Sequence, residues 1–185
     1  MHFVVELHFD ATLESKLKEV GQILRVEGMD LSDEILGVRP HITLCSSKNV
    51  DLKMADLLKS ILSLERRFDV TLSHFGLFPN QGDTRILFVG PSPTALLLRL
   101  HEEVYCMVKE CGGEPFDFVR PGFMVFHSTL SHKIPVGMLP RAMQITGDLV
   151  PLSGQVIRAS VVEYFPAVER FGFEFEQAQV ILSVC

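Results

Sequence analysis

Two short stretches decide the reading of this chain: Arg39-Pro-His-Ile-Thr-Leu44 and Phe126-His-Ser-Thr-Leu130. Each carries His-x-Thr-Leu, and 86 residues separate His41 from His127. In an extended strand, residues i and i+2 project to the same face. His41 and Thr43 therefore point together, with Ile42 and Leu44 turned to the core. His127 and Thr129 point together in the same way, and Ser131 and Lys133 continue that face if the strand stays regular.

Outward from these motifs the pattern of elements repeats. Phe3, Val5, Leu7 and Phe9 alternate with Val4, Glu6 and His8, which predicts a half-buried strand over 3–9. Leu13, Leu17, Val20, Ile23 and Leu24 recur at helical spacing over 12–27. A loop containing Gly, Asp and Ser leads to the first motif strand, followed by a helix around Met54–Leu62 and a strand over 68–78. After the turn Pro79-Asn-Gln-Gly-Asp83 the order recurs: a strand over 84–90, a helix over 94–110, a motif strand over 123–133, a short helix near 136–144 and a strand over 154–165. A last strand is predicted over 170–182. First strands and first helices of the two halves are offset by roughly 81–82 residues, so the order of elements carries the repeat.

The expected architecture is α+β: a duplicated β-α-β-α-β unit in one domain spanning 1–185. Its two pseudo-symmetric lobes cover about 1–80 and 84–166, with the final strand 170–182 added. Two antiparallel sheets are expected to form a concave central groove, helices outside.

Composition narrows the function classes. The 185 residues are 47% hydrophobic and 22% charged, enough for a sizeable core. The net charge of −6 and the absence of Trp disfavour coating of long DNA or RNA. A nucleotide ligand is then small, or a terminus. No apolar run approaches the roughly 20 residues that span a bilayer. The N-terminal Met-His-Phe-Val-Val-Glu-Leu-His-Phe-Asp lacks the basic flank of a signal peptide. Cys45, Cys106, Cys111 and Cys185 contain no Cys-x-x-Cys, which predicts reduced thiols in a cytoplasm and no zinc site. Cys185, the last residue, cannot be the Cys of a prenylation box.

The motif chemistry suits phosphodiester hydrolysis without a metal or other cofactor. One proton leaves the attacking water and another reaches the leaving oxygen, and two imidazoles titrating near 6.5 serve both tasks close to neutral pH. Thr43 and Thr129 hydroxyls can bind the phosphoryl oxygens. Lys133, Ser131 and His8 are candidate substrate contacts, although His8 and Glu6 also fit a hydrogen-bonded pair at the groove rim. Arg39 and Arg120 each precede a proline near a motif strand and suit either a phosphate or a loop salt bridge. His74 and His101 lack a motif context, and His132 is expected to point away from the His127 face. Phe75, Phe78, Phe123 and Phe126 are candidates for a base-stacking platform, most of them core. Thr94 reads as a helix N-cap.

The paired motifs, together with Gly76-Leu-Phe-Pro79 and Arg85-Ile-Leu-Phe-Val-Gly90, resemble the 2H phosphoesterase superfamily, in particular its 2′-5′ RNA ligase-like and cyclic phosphodiesterase branch. That resemblance implies a bilobal fold with a central groove. It also implies metal-independent action on 2′,3′-cyclic phosphates or 2′-5′ linkages of a nucleotide or RNA end. His41 and His127 match the catalytic histidines, and Thr43 and Thr129 match the phosphate-holding hydroxyls. Cys45 and Ser131 stand where many RNA-directed relatives carry a basic or aromatic residue. The competing reading is a binding module that holds a nucleotide or RNA end in the same groove without turnover.

Overall fold

Alternation, caps and proline-set entries place the elements close to where the sequence puts them. A computed structural model describes residues 2–30, 38–49, 54–164 and 166–177. The first half runs β1 (His2–Phe9), α1 (Ala11–Val26), β2 (His41–Lys48), α2 (Met54–Leu62) and β3 (Phe68–Pro79). The second runs β4 (Thr84–Pro91), α3 (Ala95–Glu110), a two-residue β5 (Glu114–Pro115), β6 (Ser128–Pro135), α4 (Leu139–Thr146), β7 (Leu152–Tyr164) and β8 (Val168–Glu174). Asp10 caps α1 by accepting from the amides of Thr12 and Leu13, and the Thr94 hydroxyl caps α3 by accepting from Leu97. Among the described residues, no helix is long and apolar enough to cross a membrane.

The strands pair as one antiparallel sheet in the order β5-β2-β1-β7-β3-β4-β6, with β8 also on β7. The two expected sheets are therefore joined, and the joint is β7. Its residues 152–156 pair with β3, while residues 156–164 pair with β1 on the other side. The third strand of each half thus lies beside the first strand of the other half. The sequence break near residues 80–84 is not a break in the sheet, because β3 and β4 pair directly across it.

The helices cross over too. α1 packs on β6 and α3 on β2. Leu13, Leu17 and Leu24 of α1 and Leu97, Leu100, Val104 and Val108 of α3 are buried in the common core. β1 lies between β2 and β7, and it is buried on both faces rather than half-buried: Glu6 and His8 are each only 2% exposed.

Three element boundaries differ from expectation. The apolar run Phe123-Met-Val-Phe126 is not part of the motif strand, because Phe123 and Met124 amides both bond the Arg120 carbonyl in a turn that uses Gly122 at φ 84°. β6 accordingly begins at Ser128. The last strand starts at Val168 and is assigned to Glu174, while residues 178–182 of the predicted span lie outside the described residues. Cys185 and residues 31–37 of the predicted loop lie outside them as well.

Both motif strands carry a bulge just after their threonine. Thr43 pairs with Glu6 but Cys45 with Val5; Thr129 pairs with Phe88 but Ser131 with Leu87. One extra residue, Leu44 or Leu130, sits in each step. The Leu44 carbonyl at the first bulge accepts from Nδ1 of buried His101 at 2.7 Å, and the Leu130 carbonyl at the second lies against Gly21 of α1. His101 is a core histidine that fixes α3 to the motif strand. Replacing it, as in His101→Leu, strands the Leu44 carbonyl and is expected to cost about 1–3 kcal/mol. Urea unfolding measures this; an unchanged midpoint would contradict the role.

Candidate active site

The two motif strands come into contact with each other. A cavity of about 250 Å³ at this seam is lined from one side by Arg39, Pro40 and His41, and from the other by Thr129 and His132. α1 lends Lys18, Gly21 and Arg25 to its wall. Thr43 and Thr129 are half-buried on their strands.

The two imidazoles are held alike. His41 Nδ1 bonds the carbonyl of Arg39 at 2.8 Å, and His127 Nδ1 bonds the carbonyl of Val125 at 2.7 Å. A ring whose Nδ1–H donates to a carbonyl keeps Nε2 for other chemistry. In both, the acceptor is the backbone two residues earlier, so the chain leading into each motif sets the tautomer.

Their surroundings differ. His41 stands on a polar floor: its Nε2 is 3.6 Å from Glu6 Oε1, and Glu6 also accepts from the Tyr164 hydroxyl at 2.6 Å. Beside it, His8 Nε2 meets Ser160 Oγ at 2.6 Å and lies 3.7 Å from Glu6. Burial pushes the Glu6 carboxyl upward, against the opposing pull of His41 and the Tyr164 hydrogen bond. Burial, reinforced by the charges of His41, Arg39 and Arg158, pushes the His8 imidazole down to about 3. Burial and the neighbouring Glu6 push the Tyr164 phenol up.

His127 stands on an aromatic floor. Phe78 meets it edge-on with centroids 4.8 Å apart, Phe88 lies 5.2 Å away, and the two phenyl rings stack at 4.4 Å. Gly76 makes room for this: a Cβ there would sit 2.0 Å from the Phe88 ring. Burial lowers the His127 pKa, the bond to Val125 raises it, and the charge of His41 lowers it further. The strand registers make Glu6 the counterpart of Phe88, each opposite a motif threonine.

Of the four motif residues, His41 and Thr129 line the cavity while Thr43 and His127 do not, although His127 lies near enough to feel the charge of His41; the other candidates are corrected. The bulge at Leu130 turns Ser131 to the opposite face, where its hydroxyl donates to the Met29 carbonyl at 2.8 Å and is fully buried. The same inversion brings His132 to the cavity, against expectation. Lys133 is exposed and does not line the cavity. His8 lies beneath the surface, holding the floor under His41, and is not open to a ligand. Arg39 pairs with Glu14 at 2.5 Å, and Arg120 lies 4.0 Å over the Phe123 ring. Cys45 is a packing residue, its thiol pushed up to about 12 by burial. Among the described residues, no group of three or more His, Cys, Asp or Glu is placed to hold a metal ion. Tyr164 had no sequence signal, because its partner Glu6 lies 158 residues away.

A family model described as the 2′-5′ RNA ligase superfamily matches residues 15–165. No curated protein matches the chain. Among solved structures, TT0787 of Thermus thermophilus is similar, with 19% identity, a TM-score of 0.66, and coverage of 96% of this chain and 99% of that one. E. coli LigT in its apo form has 12% identity, a TM-score of 0.61, and coverage of 95% and 98%. E. coli LigT complexed with 3′-AMP has 14% identity, a TM-score of 0.57, and coverage of 95% and 98%.

The buried His8 makes stability fall in acid. Below the ordinary imidazole value near 6.5 the unfolded chain takes a proton at His8 that the folded protein refuses until about pH 3. Stability attributable to His8 therefore declines as pH drops through that window, by up to about 1.4 kcal/mol per unit, with Glu6 acting in the opposite sense. Urea unfolding of the wild type and of His8→Asn between about pH 6.5 and 4 should show the shallower slope in the variant. Equal slopes would contradict the assignment.

Proposed function

Since the chain belongs to the 2′-5′ RNA ligase superfamily of 2H phosphoesterases, we propose that it hydrolyses a 2′,3′-cyclic phosphate or 2′-5′ phosphodiester of a nucleotide or RNA end without a metal, using His41 and His127. The observation that carries this reading is the matched pair of imidazoles. Each donates Nδ1–H to a backbone carbonyl two residues earlier and keeps Nε2 for proton transfer, and the two lie near enough for the charge of His41 to act on His127. That E. coli LigT was crystallised with 3′-AMP and with NADP+ supports a small nucleotide as ligand.

The unequal floors support a division of roles. His127, lowered by burial against Phe78 and Phe88, is neutral at physiological pH and accepts the proton of the attacking water. The oxygen of that water bonds to phosphorus. The ester bond to the 2′ or 3′ oxygen breaks, and His41 Nε2 gives its proton to the leaving oxygen. The Glu6 carboxylate, 3.6 Å away, is placed to stabilise the imidazolium that makes this donation. Thr43 and Thr129 hydroxyls donate to the phosphoryl oxygens as charge grows there, which lowers the barrier because the donors are fixed before reaction.

Hydrolysis of 2′,3′-cyclic mononucleotides and 2′-5′ dinucleotides in chelator tests this, with His41→Ala and His127→Ala beside the wild type across pH. The expected result is turnover by the wild type and a loss of about 10²–10⁴-fold in each variant. The acid limb of kcat/KM should lie below the ordinary imidazole value, because His127 stays neutral there. A requirement for added divalent metal, or wild-type rates in either variant, would refute the mechanism. Binding of a nucleotide by the wild type with no turnover would favour the binding module.

A further inference from the structure

From His41 a strip of sheet runs along one side of the fold. Registers without a break place His8, Glu6, Val4 and His2 of β1 opposite Arg158, Ser160, Val162 and Tyr164 of β7. On the other flank, β2 places Thr43, then Ser46 and Lys48 beyond the bulge, opposite Glu6, Val4 and His2. These residues share the face that carries His41. Seven residue steps separate His41 from Lys48, roughly 20 Å at a strand rise of about 3.3 Å per residue. That exceeds the reach of one nucleotide.

The far end of this strip is aromatic and cationic. The His2 ring lies 5.1 Å from Phe116 and 5.8 Å from Tyr164, and its Nε2 meets Ser46 Oγ at 2.7 Å. Lys48 Nζ lies 5.4 Å from the Phe116 centroid. Phe118 stacks on Phe116 with centroids 5.5 Å apart and planes within 13°, yet Phe118 is 63% exposed. The contacts are continuous back to the site: Phe118 on Phe116, Phe116 on His2, His2 on Tyr164, Tyr164 to Glu6, Glu6 beside His41.

We infer that Phe116, Phe118 and Lys48 form a stacking site for an unpaired base of an RNA strand whose end lies at the two histidines, so that the ligand is an oligoribonucleotide terminus and not a lone nucleotide. This rests on the proposed function. Three observations select this occupant. A flat, exposed ring already backed by a second ring offers a preformed surface for a base, at the cost of few side-chain torsions. A cation beside it neutralises a backbone phosphate, and base–aromatic stacking contributes about 1–3 kcal/mol per base without selecting sequence. The patch also lies on the sheet face that carries His41, past a floor of Val4, Glu6, Ser46, Ser160 and Val162, each at most 8% exposed, so a strand reaches it over that floor and not through contacts with it. The net charge of −6 keeps such binding local to a strand end.

The test is equilibrium binding, by fluorescence anisotropy, of a 5′-labelled single-stranded pentaribonucleotide ending in a 3′-phosphate. It is compared with competition by a 3′-mononucleotide. The ratio of the oligonucleotide Kd to the mononucleotide Kd is expected to be about one tenth or less in the wild type. Phe118→Ala, a change at an exposed side chain, should move that ratio toward one, and Lys48→Ala should flatten the salt dependence by about one phosphate contact. A wild-type ratio near one, or a ratio that Phe118→Ala leaves in place, would overturn the inference. Binding is read without turnover, so a wild type that binds the oligonucleotide but hydrolyses nothing would count against the proposed reaction alone.

Discussion

Strand β7 gives residues 152–156 to β3 and residues 156–164 to β1, and these ladders, with the pairing of β3 and β4, fix one half of the chain against the other. General acid–base chemistry with two imidazoles needs both rings held to a fraction of an ångström on opposite sides of one phosphate. Two halves joined by a flexible linker would not supply that. Here the strands exchange, α1 packs on β6, and α3 packs on β2, so moving one motif strand relative to the other disrupts the shared core. The bulges at Leu44 and Leu130 interrupt the regular pleat just after each threonine, where His101 donates to the Leu44 carbonyl and Gly21 lies against that of Leu130.

A pseudo-symmetric frame would by itself give two equivalent histidines, which is a poor arrangement for the proposed reaction, with its one acid and one base. The equivalence is broken by what the registers place opposite each motif threonine. Glu6 stands opposite Thr43, and Ser160 stands beyond it. Phe88 stands opposite Thr129, and Gly76 stands beyond it. One imidazole therefore faces a carboxylate backed by a phenol, and the other faces two phenyl rings. The loss of hydration on the second side favours the neutral ring.

Much of this was legible in the sequence because it rests on local periodicity. Helix faces, caps at Asp10 and Thr94, and the repeated order of elements all follow from neighbours within a few residues. Strand partnership was not legible, since β7 meets β1 across about 150 residues and no local pattern encodes that choice. Face assignment failed where a bulge intervenes: alternation past Thr129 placed Ser131 with His127, and one extra residue reversed it. The polar floor was half visible, as Glu6 and His8 share a strand face, but Tyr164 and Ser160 reach them from the far end of the chain. Phe116 and Phe118 carry no signal in the sequence, because stacking and exposure are properties of their placement, not of their spacing.

The proposed mechanism requires that His41 and His127 engage one phosphate together. Its most direct test is a nitrogen-15 NMR titration of the imidazole signals with inorganic phosphate, each ring assigned by its Gln variant. Nε2 of both rings is expected to shift along the same saturation curve, with a single Kd, and either Gln substitution to weaken the response of the remaining ring. Rings that respond with different Kd values, or a response confined to one of them, would contradict it.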